Sequence, residues 1–588
     1  MAVQPKGLLA HPTAPWLAAA LMLVLSLPAL WVGFVADDHY HRAILDGCGV
    51  PAAMDDPLWD LFVFVPNDAR AEILRDVGVV PWWGHPDLHL GFMRPVTSAT
   101  HVADHIMWPD NPVPQHVQSM LWFAAAVVLV GAIYRRVHGA TAIAGLAVLL
   151  FAVEDAHAMP IGWIANRNAV VALVFGLLTL WAHIGWRRDG GPARLAAALI
   201  FFAAGLAAGE AVVGTAAYLV SWQLTMEQGR WSKRLAVLAP YALLLVGWRL
   251  LYTTLGYGCA GSDLYIDPLA DPPAFATALV ERVPVMLGGL WSQLTIDAWA
   301  AVGRSGQLGL VAVSVAVCAF VAALLARMIR TTREARFWAL GSVLSLVPVA
   351  AAFPMNRLLL AAGVGAFALL AMLTAEVGML GGAVRDARTW IRRSVKLLLV
   401  LHIPLAALLL VGSIGFLSIF NTIFTAGARG APRDPGLATQ NLVFINGHDF
   451  PSVYTYIIRL TDETAPAPKR VAILGPMSTA VSVTRENELT LVIEAEDGWL
   501  RSPIDRLMRR ADARFHAGQR VSTGLFDAEI RRISVDGRPE VVAFVFHRPL
   551  DDPSHRWVAW RDGRLEEVSP PAVGDETRLA AVQLTSLE

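Results

Sequence analysis

Eleven apolar runs, near residues 16–35, 117–134, 140–153, 169–186, 195–208, 211–225, 234–253, 306–326, 337–353, 358–378 and 397–419, confine what this chain can fold into. A hydrocarbon core about 30 Å thick takes roughly 20 residues of helix, and only helices or closed barrels satisfy their backbone inside it. The runs therefore predict a polytopic α-helical membrane protein of about 11 spans, several of them short. The 588 residues are 55% hydrophobic and 16% charged, a balance far from that of a soluble globule. A net charge of −1 supplies no basic face for nucleic acid, which is set aside as a partner.

Trp16 to Val35 is longer than a signal-peptide core and precedes no small-residue cleavage site, so it predicts a retained first span. Basic clusters orient the rest. Arg135/Arg136, Arg187/Arg188/Arg194, Arg230/Lys233/Arg234, Arg327/Arg330/Arg333/Arg336 and Arg385/Arg388/Arg392/Arg393/Lys396 all fall in loops on one side, which the positive-inside bias makes cytoplasmic together with the N-terminus. The long first loop 36–115, the stretch 254–305 and everything past Asn421 then lie outside. The apolar stretch 274–300 carries Glu281, Arg282 and Pro284, and reads as a helix lying along the outer interface. Heavy use of Arg, Ala, Gly and Val is that of a GC-rich bacterial genome, which makes the membrane the bacterial inner membrane and the outer compartment the periplasm. Cys48 and Cys259 both fall outside, where a disulfide is permitted; two thiols are the equal alternative.

Beyond about residue 425 charged residues become frequent, and "NLVFING", "RVAILG", "LTLVIEA" and "EVVAFVF" read as strands bounded by Gly, Pro and Asp. The domains expected are a membrane domain over 1–424 and a periplasmic β-rich domain over 425–588, a sandwich or small barrel with one helix near 503–513.

Polar residues gather where apolar runs end or break on the outer side: Asp37 and Asp38, Arg94, Glu154, Asp155 and His157, Arg167, Glu210, Arg249, and Arg357. Capping and interfacial snorkelling account for any one of them. Acids and arginines alternating around one rim suit a cavity in which guanidinium grips a lipid-bound phosphate and a carboxylate takes a proton from an acceptor.

The stretch "ALWVGFVADDHYHRAIL" resembles the first-loop acid motif of the GT-C glycosyltransferases, membrane enzymes that use polyprenyl-phosphate sugars. Within them the likeness is to the transmembrane tetratricopeptide-repeat O-mannosyltransferases. "FMRPVTSATHVADH…PQHVQSMLWF", "EDAHAMPIGWIANRNAVVALVFGLLTL", "GEAVV" and "NRLLLAAGVGAFALLA" follow in the family's order, over roughly residues 15–380. The chain departs from the family at Met159, where its motif glutamate is absent, at Gly209, where it has lysine, and at the leucines following Arg357, where it has tyrosines. The tetratricopeptide array is absent.

What the resemblance implies is an inverting glycosyltransferase moving a sugar, hexosyl in the family, from a polyprenyl-phosphate donor to an extracytoplasmic hydroxyl on protein, glycan or lipid. Asp37 or Asp38 would be the base, and Arg357, with Arg249 and Arg94 behind it, would hold the donor phosphate. Glu154, Asp155, His157 and Glu210 would orient sugar or acceptor; no ligand spacing is diagnostic of a metal, and a divalent cation stays open. His39 and His41 read as solvated loop residues, "GYGCAGSDLYIDP" as an ordered turn, and Asn166 and Arg167 as anchors of a span. Trp59, Phe62, Phe64, Trp82, Trp83, Phe92 and Trp108 read as an interfacial belt. Two rival readings are a membrane transporter, which inverted repeats would have marked, and a catalytically inactive relative that anchors a partner-binding β domain.

Overall fold

The computed structural model describes residues 7–48, 56–380, 389–447, 451–501 and 505–583. Arg385 and Arg388 of the last basic cluster, and the start of the expected helix near 503–513, lie outside them. The chain divides into two compact units. One comprises Met1–Gly33, Met93–Leu255 and Asp267–Ser418, the other Phe34–Phe92, Gly256–Ile266 and Ile419–Glu588.

The first unit is helical. Among the described residues of the chain, six helices have the length and hydropathy of a span: Ala14–Trp31, Pro112–His138, Ile164–Asp189, Pro272–Ser292, Arg304–Thr331 and Thr389–Gly430. Ala142–Val153 and Asp155–Gly162, bent by 50° at their junction, make a seventh if taken as one span. The remaining apolar runs also hold helices, at Pro192–Ala208, Val212–Thr225, Ala239–Thr254, Arg333–Val349 and Leu360–Glu376. At 14 to 17 residues and a 1.5 Å rise they fall short of a ~30 Å core. These elements support a multi-pass helical membrane protein.

Local chemistry sets the helix ends. Pro112, Pro192 and Pro272 each open a helix where the missing N–H costs nothing, and Asn111 and Asp271 accept from Val113 and Ala274 N–H groups. Arg135, Arg136, Arg187 and Arg188 sit in last turns, where the helix dipole favours cations. Pro272–Ser292, expected along the interface because of its charges, has the length and hydropathy of a span, and those charges are met: Glu281 pairs with Arg304 at 2.5 Å and Arg282 donates to the Ala350 carbonyl at 3.1 Å.

Hydroxyls fasten Leu360–Glu376 among its neighbours. Tyr134 donates to the Val364 carbonyl at 2.6 Å, Tyr218 to Ala361 at 2.8 Å and Ser342 to Ala362 at 2.7 Å. A Cβ at Gly365 would collide with the Trp338 carbonyl oxygen, so the close approach depends on glycine there. This helix follows directly on the turn that carries Arg357.

The second unit holds all the strands described: β1 Val63–Val65, β2 His89–Gly91, β3 Gly258–Ala260, β4 Asn441–Gly447, β5 Arg470–Pro476, β6 Val481–Arg485, β7 Thr490–Ala495, β8 Arg520–Ser522, β9 Phe526–Ile533, β10 Pro539–Phe546, β11 His555–Arg561, β12 Arg564–Glu567 and β13 Glu576–Leu579. They form sheets ordered β1-β2-β3, β13-β6-β7-β10-β9-β8 and β12-β11-β4-β5. In the third sheet β4 runs parallel to both β5 and β11. A crossover from β4 to β5 carries the helix Tyr454–Leu460. Among the described residues, the region expected to be helical near 503–513 holds a short 3-10 turn at Asp505–Met508.

Of the two alternatives open for Cys48 and Cys259 the structure has the thiols, Cys259 on β3 opposite Leu90 and Cys48 just after the helix Asp37–Leu45. Two expectations are corrected. Within the "GYGCAGSDLYIDP" stretch, Gly258–Ala260 is a strand and not a turn. Phe62, Trp82 and Trp83 are not a belt but core residues, at most 5% exposed, with Trp82 against Trp499 at 6.0 Å and Phe544 at 5.5 Å. An indole buried this deeply needs a partner, and Trp82 and Trp499 both donate to the Leu474 carbonyl. Trp59 and Trp108 do stay exposed.

Candidate functional site

The acid pair lies in the second unit. Val35 leads through Ala36, at φ 46° and ψ −111°, into the helix Asp37–Leu45. That left-handed backbone is costly for a residue with a Cβ and persists only where surroundings enforce it. It places both acids in the first helical turn, whose N–H groups favour anions. The two carboxylates differ. Asp38 is 3% exposed and its Oδ2 accepts from the Val35 N–H at 2.9 Å, closing the turn. Asp37 is half-buried, and its Oδ1 accepts from the Tyr454 hydroxyl at 2.5 Å.

His39 and His41 are buried, not solvated, because the helix turns them inward: His41 lies edge-on to Phe62 at 4.7 Å and His39 beside Phe34. Burial first, and the Arg42 charge second, lower His39 to about 4. A histidine that folds neutral takes up its proton only on unfolding, so its contribution to stability is complete above about pH 6.5 and lost as pH falls toward 4. The limiting loss is about 3 kcal/mol. Thermal unfolding of the detergent-solubilised protein should show this acid-side decline reduced in His39→Gln; parallel curves for the two proteins would remove the assignment.

The first unit carries the other polar residues in three groups. Arg94 and Glu210 are brought together at 2.9 Å, and Tyr252 donates to the same carboxylate at 3.2 Å. Arg249 pairs with Asp267 at 2.6 Å. Both arginines are thus committed to carboxylates. Arg357 is in neither arrangement: its guanidinium lies 5.6 Å over the Trp163 ring, and its Nε is buried without a hydrogen-bond partner. The 3-10 turn Asn356–Leu358 that carries it packs against the 3-10 turn Asp155–His157, so Asp155 and Arg357 belong to one locality. Asp297 anchors the Arg357 turn by accepting from the Asn356 N–H at 3.1 Å. Burial raises the Asp297 carboxyl above its ordinary value, against that bond and the Arg357 charge.

Beside this lies a buried polar trio. The Gln293 amide donates to both Glu154 oxygens, at 3.1 and 3.0 Å, and stands 2.7 Å from His402 Nδ1, itself 3.2 Å from Glu154 Oε2. Each member sits at a backbone irregularity. Glu154 marks the 50° helix break, Gln293 ends its helix at φ 58°, and His402 lies in the π-turn Leu401–Leu405. Irregular backbone at membrane depth is tolerated where protein buries it, and such bulges gather at functional positions. His157 is separate from the trio, with its ring held between Phe123 at 4.9 Å and Phe151 at 4.7 Å, the setting of a core histidine.

Gln293, Asp297, His402 and Tyr454 were not among the residues singled out from sequence. His402 interrupts the run "LLLVLHIPLAALLL", and an ionisable residue inside such a run is by default a functional marker. Gln293 and Asp297 were hidden in the stretch assigned to the interface, and nothing in "PSVYTYIIRL" distinguishes Tyr454. Among the described residues, no three His, Cys, Asp or Glu side chains are grouped to hold a metal ion.

No family model matches the chain. No curated protein matches it either. Among solved structures it is similar to the archaeal oligosaccharyltransferase AglB from Archaeoglobus fulgidus, in complex with an inhibitory peptide and a dolichol-phosphate. The TM-score is 0.39 at 10% identity, over 78% of this chain and 65% of that one. It is similar also to ArnT from Cupriavidus metallidurans bound to undecaprenyl phosphate, with a TM-score of 0.40 at 12% identity, over 76% of this chain and 85% of that one. The chain spans just under two thirds of the archaeal enzyme's length. Likeness of this degree leaves the chemistry to be argued from the chain's own residues.

Proposed function

We propose that the protein is an inverting glycosyltransferase of the cell envelope, moving a sugar from a polyprenyl-phosphate donor to an extracytoplasmic hydroxyl. The observation that carries the reading is the unequal exposure of the two acids: both are hydrogen-bonded, but Asp38 is 3% exposed and closes its own turn, while Asp37, which accepts from Tyr454, stays only half-buried at the helix start on a strained entry. Asp37 is accordingly the base. It takes the acceptor's hydroxyl proton as the acceptor oxygen bonds to the anomeric carbon. The bond from that carbon to the phosphate oxygen breaks with its electron pair, and the configuration inverts through an oxocarbenium-like state.

Arg357 is the phosphate-binding arginine of this reading, supported by its having, among the described residues, no carboxylate partner within ion-pair distance where Arg94 and Arg249 both have one. Positive charge on a leaving phosphate acts where negative charge develops. Trp163 beneath the guanidinium and Asp297 behind its turn hold it in place. Glu154 and Asp155 orient the sugar or acceptor. Arg94, Glu210 and Arg249 take the structural role that their pairing gives them, and residues 425–588, which form one compact unit with Phe34–Phe92 and Gly256–Ile266, are extracytoplasmic in this reading.

The test is transfer of labelled sugar from a panel of polyprenyl-phosphate donors in membranes containing the protein, with products separated into lipid, glycan and protein fractions. Arg357→Ala should lower donor kcat/KM by roughly 10²- to 10³-fold, with Arg357→Lys between it and the wild type. Donor dependence unchanged in Arg357→Ala would count decisively against the phosphate role, and no transfer from any donor by folded wild-type protein would reject the reading.

A further inference from the structure

We propose that Tyr454, from the C-terminal stretch, is a positioning residue for Asp37, fixing the carboxylate's orientation and favouring its charged form. This rests on the reading of Asp37 as the base. A 2.5 Å separation between Tyr454 Oη and Asp37 Oδ1 is that of a charge-assisted O–H to carboxylate bond, among the stronger hydrogen bonds proteins make. Tyr454 is 7% exposed, so water competes poorly for its hydroxyl. Burial first, then the Asp37 charge, holds the phenol well above its ordinary range, and it therefore stays a donor wherever the carboxylate is ionised.

The phenol is held firmly enough to position something else. Its ring stands edge-on to Phe424 at 5.0 Å and 80°. Thr455, the next residue, is fully buried. Arg459, also buried, donates from one turn later to the Ala431 and Pro432 carbonyls. The helix Tyr454–Leu460 lies on the crossover between the parallel strands β4 and β5. On the other side, Tyr40 ties the acid helix to β1 by donating to the Val63 carbonyl at 2.9 Å. Both partners are thus anchored in the one compact unit that contains Phe34–Phe92 and Ile419–Glu588. The C-terminal stretch then supplies part of the acid motif's machinery and is more than an appendage for binding partners.

Hydrogen bonding to the charged form of an acid lowers its pKa, so removing the bond should raise it. Among the titratable groups facing Tyr454 are Asp38 and Tyr40 on the acid helix, with Asp60 and Arg70 facing Tyr40. None of them is altered by Tyr454→Phe, which keeps the ring on Phe424. That variant should move the acid limb of the kcat/KM profile upward by about one pH unit and lower kcat roughly tenfold at neutral pH, with donor KM within about twofold. In an Asp37→Asn background the same substitution should change transfer no further. 3-Fluorotyrosine at position 454, a stronger donor that preserves packing, should move the limb downward and keeps the test available if Tyr454→Phe folds poorly.

Wild-type transfer that is lost in Asp37→Asn but has the same pH profile and kcat in Tyr454→Phe, or in the fluorotyrosine protein, overturns the positioning role and leaves the transferase reading standing. Absence of transfer by the wild type rejects that reading, and the positioning role with it.

Discussion

Asp37→Asn should leave the protein folded in the membrane and lower sugar transfer by roughly 10²- to 10⁴-fold, the range a positioned general base contributes, while Asp38→Asn should keep a far larger share. The prediction follows from what each carboxylate already does. Asp38 accepts the Val35 N–H at 2.9 Å, and the carbonyl oxygen of an asparagine can accept the same donor. Its charge is not what closes the turn, so neutralising it costs geometry little. Asp37 accepts from Tyr454, and asparagine retains that acceptor too; the substitution removes the basic oxygen and leaves the bond, so lost rate does not report lost fold. The measurement is labelled transfer by wild type, Asp37→Asn and Asp38→Asn, with thermal unfolding of each as the folding control. Equal losses in the two variants, or intact transfer by Asp37→Asn, would remove Asp37 as the base.

How far the sequence foretold this depends on the range of the interaction concerned. Apolar length is local, and every one of the eleven runs contains helix. Strand patterning is local as well: "NLVFING", "RVAILG", "LTLVIEA" and "EVVAFVF" fall on β4, β5, β7 and β10. Burial against a distant partner is not. Phe62, Trp82 and Trp83 look like a membrane belt until Trp499 and Phe544, more than 400 residues away, are known to pack on Trp82. His39 and His41 look solvated because their neighbours in sequence are polar, yet the helix faces them toward Phe34 and Phe62. The same limit governs the site. The acids and arginines were visible as residue types at run ends, but only tertiary pairing shows that Arg94 and Arg249 are already matched by Glu210 and Asp267 while Arg357 is not. Gln293 acquires meaning only through Glu154 and His402, each more than 100 residues from it.

Arg167→Met should be the most destabilising single change to the helical unit, by about 3–5 kcal/mol, because it strands a buried carboxylate. Arg167 is 0% exposed and Asp104 1%, with 2.6 Å between them. The guanidinium also donates to Ser119 Oγ at 2.9 Å, the Gln115 carbonyl at 2.7 Å, Thr100 Oγ1 at 3.3 Å and the Gln118 side chain. It thereby ties Ile164–Asp189 to Pro112–His138 and Pro95–Met107 through one cation, a role larger than the anchoring expected of it. Removing the cation alone leaves Asp104 buried without its counter-charge, so it must either carry that charge uncompensated or take up a proton to fold. Removing both charges in Arg167→Met/Asp104→Leu relieves that penalty and should recover much of the stability. Recovery should stay incomplete, since the Gln115 carbonyl loses its donor in either case. Thermal unfolding in detergent, compared across the two single variants and the double, measures this directly. An Arg167→Met protein within about 1 kcal/mol of wild type, less than a single buried hydrogen bond to a charged group contributes, would mean that water reaches the pair and that this part of the unit is not closed.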